Sequence, residues 1–290
     1  MEGKFSDVIV IGFGKIVSDV LKYVIEQRKK WNYAITFIAY ETYPTSNVKK
    51  ICSENAVEFE ELHEQVDITE YLLKQDKKTL IISAGNKYIF PKKVIEKSNV
   101  KIINFHNALL PAYPGRNAPS WAIWGNEKVS GATWHYVTEG IDAGDCLWQK
   151  ECLIGEDTKA YELVREIMIL AKEGFEEIFP ELLADNAKSK AFASSDTRRI
   201  YYSYEIPNDG YIKISDSPHD IYRLLRATDF GVNRLFPNIL CEMGTGEVVE
   251  ILTYKKEVCE KKISIPIVDY VNKQILLRLD SLYKLRIRFR

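Results

Sequence analysis

The sequence predicts an α/β fold: a Rossmann-like, mostly parallel sheet with helices on both faces, followed by a small, mostly-β C-terminal domain. Three observations predict it. Short, continuous apolar runs alternate with helix-periodic stretches through the first half of the chain, which is the pattern of a parallel sheet buried on both faces. Two strand-like runs then follow without a long helix between them, and a long helix closes that half. A polar, small-residue stretch, Asn186 to Thr197, leads into a strand-rich tail. The expected domains are therefore residues 1–190 and 195–290.

Each element has its own signature. Val8 to Ile11 is an apolar run ending at Gly12, and Ile16 to Ile25 places Val17, Val20, Leu21 and Val24 on one helical side. Ile35 to Tyr40 reads as the second strand, with helical residues from about Asn47. Leu80 to Ile82 and Lys101 to Asn104 read as further strands, each after a helix-compatible stretch. Ser130 to Val137 and Asp145 to Ile154 are strands joined by Thr138–Gly144. From about Thr158 to Ala184, Leu163, Val164, Ile167, Leu170, Ala171 and Phe175 recur at the spacing of a core-facing helix. In the tail, Asp220 to Ala227 reads as a short helix. Val248–Leu252, Ile263–Val268, Gln274–Leu279 and Leu285–Phe289 read as strands.

Composition narrows the function. The chain has 290 residues, 46% hydrophobic and 28% charged, with a net charge of -1. A near-neutral surface argues against nucleic acid as the principal partner, because phosphate affinity comes largely from Lys and Arg. Five cysteines without a C-x-x-C pair point to reduced thiols rather than a disulfide framework or a zinc site. The histidines lack metal-ligand spacing, so no metal is expected. The chain opens directly on an apolar strand-like segment, with no basic leader and no run long enough to span a bilayer. The expectation is a cytoplasmic protein with no membrane partner.

The densest chemical signal is Asn104-Phe-His106-Asn-Ala-Leu-Leu-Pro111-Ala-Tyr-Pro-Gly115-Arg-Asn117, directly after a strand. Open α/β sheets bind ligands at the carboxyl ends of their strands. Asn104 and His106 are two apart and project from one side of an extended segment, offering an amide and an imidazole. A second signal is Gly140-Ile-Asp142-Ala-Gly144, an acidic loop between strands. Taken singly, a His after a strand is commonly structural and an Asp between glycines is commonly a turn. Together, an amide, an imidazole and a carboxylate can polarise a carbonyl and move a proton.

These residues resemble the formyltransferases that use 10-formyltetrahydrofolate. The resemblance rests on Asn104, His106, Leu109, Leu110, Pro111, Gly115, Arg116, Gly131, Thr133, Gly140, Asp142 and Gly144. It is strong over about residues 80–185 and patchy in the tail. It implies acyl transfer to an amine, with Asn104, His106 and Asp142 as catalytic residues and a protonated His106 helping Asn104 to bind the oxyanion. It implies 10-formyltetrahydrofolate as co-substrate, its pterin held by Tyr88, Ile89 and Phe90 on one side and by Val137, Gly140 and Ile141 on the other. Lys87 departs from a position that is often small or polar in relatives. His135, on the strand leading to the Asp loop, borders the site in this reading.

Within that family, the features resemble the nucleotide-sugar N-formyltransferases. Pro114, Arg116 and Asn117 match their form of the loop, and Trp121 is an expected substrate contact. Arg198-Arg199 and Pro207-Asn-Asp-Gly-Tyr-Ile212 are similar, loosely, to the segment that opens their second domain. Glu41 to Ile51 carries only Lys49 and Lys50, where methionyl-tRNA enzymes usually have a longer basic insertion. The resemblance implies a homodimer acting on small molecules, a nucleotide-linked amino sugar and the folate. The alternatives are a methionyl-tRNA formyltransferase and a non-catalytic ligand-binding protein of this fold.

Two further features belong to other readings. Gly12-Phe-Gly14 opens a helix after the first strand and invites a dinucleotide site with Glu41 on a ribose. Val17 replaces the third glycine, and the plainer reading is a tight turn. Lys284, Arg286, Arg288 and Arg290 alternate with Leu285, Ile287 and Phe289, a basic face that suits contact with RNA or a nucleotide phosphate or, in the plainer reading, a solvated edge strand guarded by charge. Trp121, Trp124 and Trp134 lie near the motif, most of them expected in the core.

Overall fold

The computed structural model describes residues 4–40, 46–192, 199–259 and 265–290. Glu41 and Arg198, both singled out from the sequence, lie outside the described residues. The chain forms two compact units that share it in alternating stretches. The first holds Met1–Arg116, Ser130–Cys152 and Arg165–Ile200; the second holds Asn117–Val129, Leu153–Val164 and Tyr201–Arg290.

In the first unit, β1 (Asp7–Gly12), α1 (Gly14–Trp31), β2 (Ala34–Tyr40), α2 (Ser46–Glu54), β3 (Glu58–Leu62), α3 (Gln65–Leu73), β4 (Thr79–Ala84), α4 (Lys92–Ile95) and β5 (Val100–His106) alternate, with β3 a strand the sequence did not announce. After α5 (Ala118–Trp124) come β6 (Val129–Tyr136), β7 (Cys146–Leu153) and the long α6 (Ala160–Leu183). The sheet order is β3-β2-β1-β4-β5-β6-β7. The first five strands pair in parallel, and β6 pairs antiparallel to β5. The mostly parallel, Rossmann-like sheet read from the sequence is the sheet observed.

Alternation along the strands explains the burial of both faces. Ile9, Ile11, Ile38, Ile81 and Ile102 form one cluster with Ile68 and Leu72 of α3 and Val94 of α4. Val8, Val10, Phe37, Leu80, Ile82 and Ile103, one step out of phase, are also buried. Trp134 of β6 is 0% exposed and packs on Phe105 and on Phe175 of α6, with ring centroids 5.6 and 5.2 Å away. Its Nε1 donates to the Ala171 carbonyl at 2.8 Å.

The glycines of the first turn have a packing role. Phe13 N–H donates to the Gly85 carbonyl at 3.2 Å. A Cβ on Gly12 would lie 1.9 Å from the Ala84 carbonyl oxygen, and one on Gly85 would lie 2.8 Å from that of Phe13. Close approach of the loops after β1 and β4 thus accounts for glycine at position 12, as the plainer reading of that motif requires.

The second unit contains α5, a 3₁₀ turn at Pro207–Gly210, β8 (Tyr211–Lys213), α7 (Pro218–Ala227), β9 (Leu240–Glu242), β10 (Val248–Val258), β11 (Ile267–Asp269), β12 (Gln274–Arg278) and β13 (Tyr283–Phe289). Its sheet order is β11-β12-β13-β10-β9-β8, antiparallel except where β8 meets β9. α5 packs against α7. The segment before α6 is tied in by Arg226 Nη1 to the Thr158 carbonyl (2.8 Å), by Tyr161 N–H to the Asp229 carbonyl (3.0 Å) and by Lys256 to Asp157 (2.8 Å).

The basic strand corrects an expectation. β13 is no edge: it lies between β12 and β10. Its charges are met by partners across the sheet rather than by water alone. Arg286 donates to both oxygens of Glu257 and to Gln274 Oε1, and Arg290 donates to Glu250. An interior strand tolerates a basic face where neighbouring strands supply carboxylates. Among the described residues, no helix is long and apolar enough to cross a membrane.

Candidate active site

The site gathers where β4 and β5 end. β5 carries Asn104 and His106 on the face of Ile102, the face covered by the Tyr88–Phe90 cluster. Register sets Ser83, Asn104 and His135 level across β4, β5 and β6. The loop after β5 is held from below by Thr133. Its Oγ1 donates to the Ala108 carbonyl (2.6 Å) and accepts from Leu110 N–H (3.2 Å) and Gln149 Nε2 (2.8 Å). Gln149 Nε2 also donates to the Leu110 carbonyl at 2.8 Å, and the Leu110–Pro111 peptide is cis.

Asp142 is delivered by the loop between β6 and β7. Gly144 permits this, since a Cβ there would sit 1.9 Å from the Tyr136 carbonyl oxygen. Gly115 N–H donates to Asp142 Oδ2 at 2.7 Å, tying this loop to the one after β5. Asp142 Oδ2 lies 3.3 Å from His106 Nδ1, and Oδ1 lies 3.5 Å from His135 Nε2. His106 Nε2 is 2.8 Å from the Tyr113 carbonyl. Asn104 reaches the group through His135: its Nδ2 is 3.2 Å from His135 Nε2. His106 and His135 are 4% and 2% exposed, so this chemistry is shielded from bulk water.

Burial pushes the His106 imidazole below its ordinary 6.5, against the pull of the Asp142 carboxylate and the Tyr113 carbonyl. Asp142 moves down as well. Burial alone would raise it, but His106, His135 and the Gly115 N–H together hold it well below the usual carboxylate range. Both depressions carry the same sign in stability. A folded group that resists protonation binds fewer protons than its unfolded counterpart, so stability is present above the unfolded pKa and is lost as pH falls. The window opens below 6.5 for His106 and below 3.8 for Asp142. Thermal unfolding is therefore expected to shift downward between about pH 7 and about pH 5, and His106→Gln to flatten that slope. An equally steep slope in the variant would assign the acid sensitivity elsewhere.

The other residues named from the sequence are distributed as follows. The Tyr88 side chain belongs to the core: its hydroxyl bonds Thr69 Oγ1 at 2.7 Å and its ring meets Phe90 edge-on. Phe90 is 9% exposed, whereas Ile89 is 61% exposed and Ile141 is 40% exposed. Val137 packs against the Tyr88–Phe90 cluster, and Lys92 pairs with Glu139 at 2.6 Å. Gly140 and Ile141 lie in the same loop as Asp142. Pro114 is buried, and Arg116 donates to the Asn86 carbonyl at 3.3 Å. Asn117 and Trp121 belong to the second unit, where Trp121 is 7% exposed and lies 4.6 Å from the Tyr201 ring. Sequence reasoning passed over Ser83, Asn86 and Gln149. The one available signal was a hydroxyl in the otherwise apolar run Leu80-Ile-Ile-Ser83-Ala. Among the described residues, no group of His, Cys, Asp or Glu could hold a metal ion.

This amide, imidazole and carboxylate, on a strand end and its facing loop, lie inside a stretch with known relatives. Residues 35–178 match the family profile described as Formyl transferase. That stretch is a formyl transferase domain. Its curated relatives include a methionyl-tRNA formyltransferase of Thermodesulfovibrio yellowstonii, 30% identical over 150 residues, which are 51% of this chain and 47% of that protein. The chain thus spans about half the length of the curated relatives it matches. Similar solved structures extend beyond the formyl transferase stretch. One is an N-formyltransferase of Helicobacter canadensis in complex with folinic acid and dTDP-3-aminofucose (TM-score 0.73, 15% identity, covering 99% of this chain and 100% of that one). Another is WlaRD, a sugar 3N-formyl transferase solved with dTDP and 5-N-formyl-THF (TM-score 0.72, 16% identity, covering 99% and 98%). At these identities the likeness is one of fold.

Proposed function

We propose that this protein is an N-formyltransferase that moves a formyl group from 10-formyltetrahydrofolate to the primary amine of a nucleotide-linked amino sugar. The observation that carries the reading is the placement of Asp142, within 3.5 Å of two histidines and bonded to the Gly115 backbone, with the Asn104 amide 3.2 Å from one of those histidines, His135. The folate fits the residues present. Ile89 and Ile141 are exposed apolar side chains, and Val137 packs against the cluster that holds Tyr88 and Phe90, apolar surface of the kind a flat ring system would use.

The donor supplies a formyl carbon bonded to nitrogen. Asn104 offers an N–H to the formyl oxygen as the acceptor amine attacks, a contact worth roughly 3 kcal/mol when preorganised. His106 faces an acceptor at each ring nitrogen, which favours a second proton, while burial opposes it. Proton uptake by the ring is favoured as negative charge develops nearby. Asp142, anionic at neutral pH, orients the imidazole and draws the proton from the attacking amine, directly or through water. The proton lost by the amine balances the one gained by the folate nitrogen when its bond to carbon breaks.

For the acceptor, the support is the loop Pro114-Gly-Arg116-Asn117, the sparse basic residues of Glu41–Ile51, and whole-chain likeness of fold to sugar N-formyltransferases. The sequence relatives favour methionyl-tRNA as the second reading. Tetrahydrofolate release with a panel of nucleotide amino sugars and with charged initiator tRNA separates the two. Turnover is expected with a sugar and none with tRNA; the reverse result would replace the first reading by the second. The same reading makes the protein a cytoplasmic homodimer, which sedimentation and fractionation would check.

A further inference from the structure

An asparagine can face a ligand with either end of its amide, and the two ends have opposite hydrogen-bonding sense. We infer that a directed chain of hydrogen bonds through Asn86 and Ser83 fixes the amide of Asn104 with its N–H toward the reacting oxygen, making Ser83 and Asn86 positioning residues for the transfer reaction. The inference rests on the formyl-transfer reading above.

The chain begins at a group that can only donate. Tyr88 backbone N–H bonds Asn86 Oδ1 at 2.9 Å, so the other end of the Asn86 amide must be Nδ2. Asn86 Nδ2 donates to Ser83 Oγ at 3.3 Å. Ser83 Oγ–H in turn donates its single proton to Asn104 Oδ1, at 2.8 Å. Asn104 Nδ2 then donates to His135 Nε2 at 3.2 Å, and His135 Nδ1–H donates to the Tyr136 carbonyl at 2.8 Å. That last group can only accept. With the His135 proton on Nδ1 alone, this direction gives every polar atom of the chain a complementary partner, whereas an inverted Asn104 amide would bring its oxygen against the bare His135 Nε2 and leave the Ser83 hydroxyl proton without an acceptor in the chain.

The architecture supports the direction. Ser83, Asn104 and His135 are register partners on three adjacent strands, and Ser83 is 1% exposed. Burial removes water as an alternative partner, so an inverted amide would leave the Ser83 hydroxyl proton unbonded and set two lone pairs, on Asn104 Oδ1 and His135 Nε2, against each other at a desolvation cost. Turned as found, Asn104 Nδ2 gives one N–H to His135 and keeps the second for a ligand. Asn86 also accepts Arg116 Nη1 on its carbonyl, at 3.3 Å, so the loop that carries Arg116 and the amide share one anchor.

The test is kinetic and spectroscopic. Ser83→Ala is expected to lower kcat for formyl transfer roughly 10- to 100-fold, with KM for both substrates changed by less than about twofold. Ser83→Thr, which keeps the hydroxyl, is expected to recover most of that loss. Asn86→Asp still accepts from Tyr88 N–H but no longer donates to Ser83, and is expected to reduce kcat in the same sense. Without substrates, the side-chain amide protons of ¹⁵N-labelled Asn104 are expected to exchange slowly in the wild type and faster in Ser83→Ala. Wild-type kcat and wild-type exchange in Ser83→Ala would overturn the proposal. So would a loss of kcat with unchanged exchange that Ser83→Thr fails to rescue. If the wild type transfers formyl to no amine tested, the functional reading fails, while the exchange measurement still decides whether Ser83 orients Asn104.

Discussion

Asp142→Asn is expected to lower the rate of formyl transfer by about 10³-fold or more while the protein remains folded. The carboxylate serves three neighbours at once. Oδ2 accepts Gly115 N–H at 2.7 Å and faces His106 Nδ1 at 3.3 Å, while Oδ1 faces His135 Nε2 at 3.5 Å. An amide has one oxygen, so keeping the Gly115 bond leaves an N–H₂ group beside a histidine. The negative charge that favours an imidazolium disappears, and so does the base for the amine proton. Loss of rate in steady-state tetrahydrofolate release, with an unchanged far-ultraviolet circular dichroism spectrum, is the expected pair of results. Near-wild-type turnover would remove Asp142 from the mechanism.

Trp134→Ala is expected to destabilise the protein by about 4 kcal/mol, read as a lowered midpoint of urea unfolding. The indole is wholly buried, and its removal opens a cavity between Phe105 and Phe175. It also removes the indole N–H that the Ala171 carbonyl accepts in addition to its helical bond. Phe105 lies between Asn104 and His106 in sequence, so the cavity forms directly behind the strand that presents both. A midpoint within error of the wild type would show that the core closes over the gap.

Most of the first unit was legible because its signals are local. The strands after which ligands gather are apolar runs, and Asn104 and His106 stand two apart in one motif whose spacing gives them a shared side, whereas the approach of Asp142 depends on how its separate loop folds. β3 escaped detection because Glu58-Phe-Glu-Glu-Leu62, at the end of the sheet order, is charged and nearly lacks an apolar pattern. The error at β13 has a different origin. Its sequence shows a basic face, but whether a strand is interior depends on which strands flank it. The carboxylates that neutralise Arg286 and Arg290, on Glu257 and Glu250, are supplied by β10. The Ser83 contact was likewise invisible, since it arises from register across three strands and from no pattern within one.

The alternation of the two units along the chain bears on synthesis. The polypeptide passes from one unit to the other five times. A nascent chain released at residue 190 would already hold α5, with Trp121, Ala122 and Ile123, which α7 helps to cover only later. It would also hold the stretch at Asp157–Tyr161 without Lys256, Arg226 and Asp229 to receive it. Shortened versions of this protein, whether from ribosomal arrest or from a stop codon, would therefore display sticky apolar surface and be natural clients for chaperones, and the tail cannot be treated as a detachable appendage.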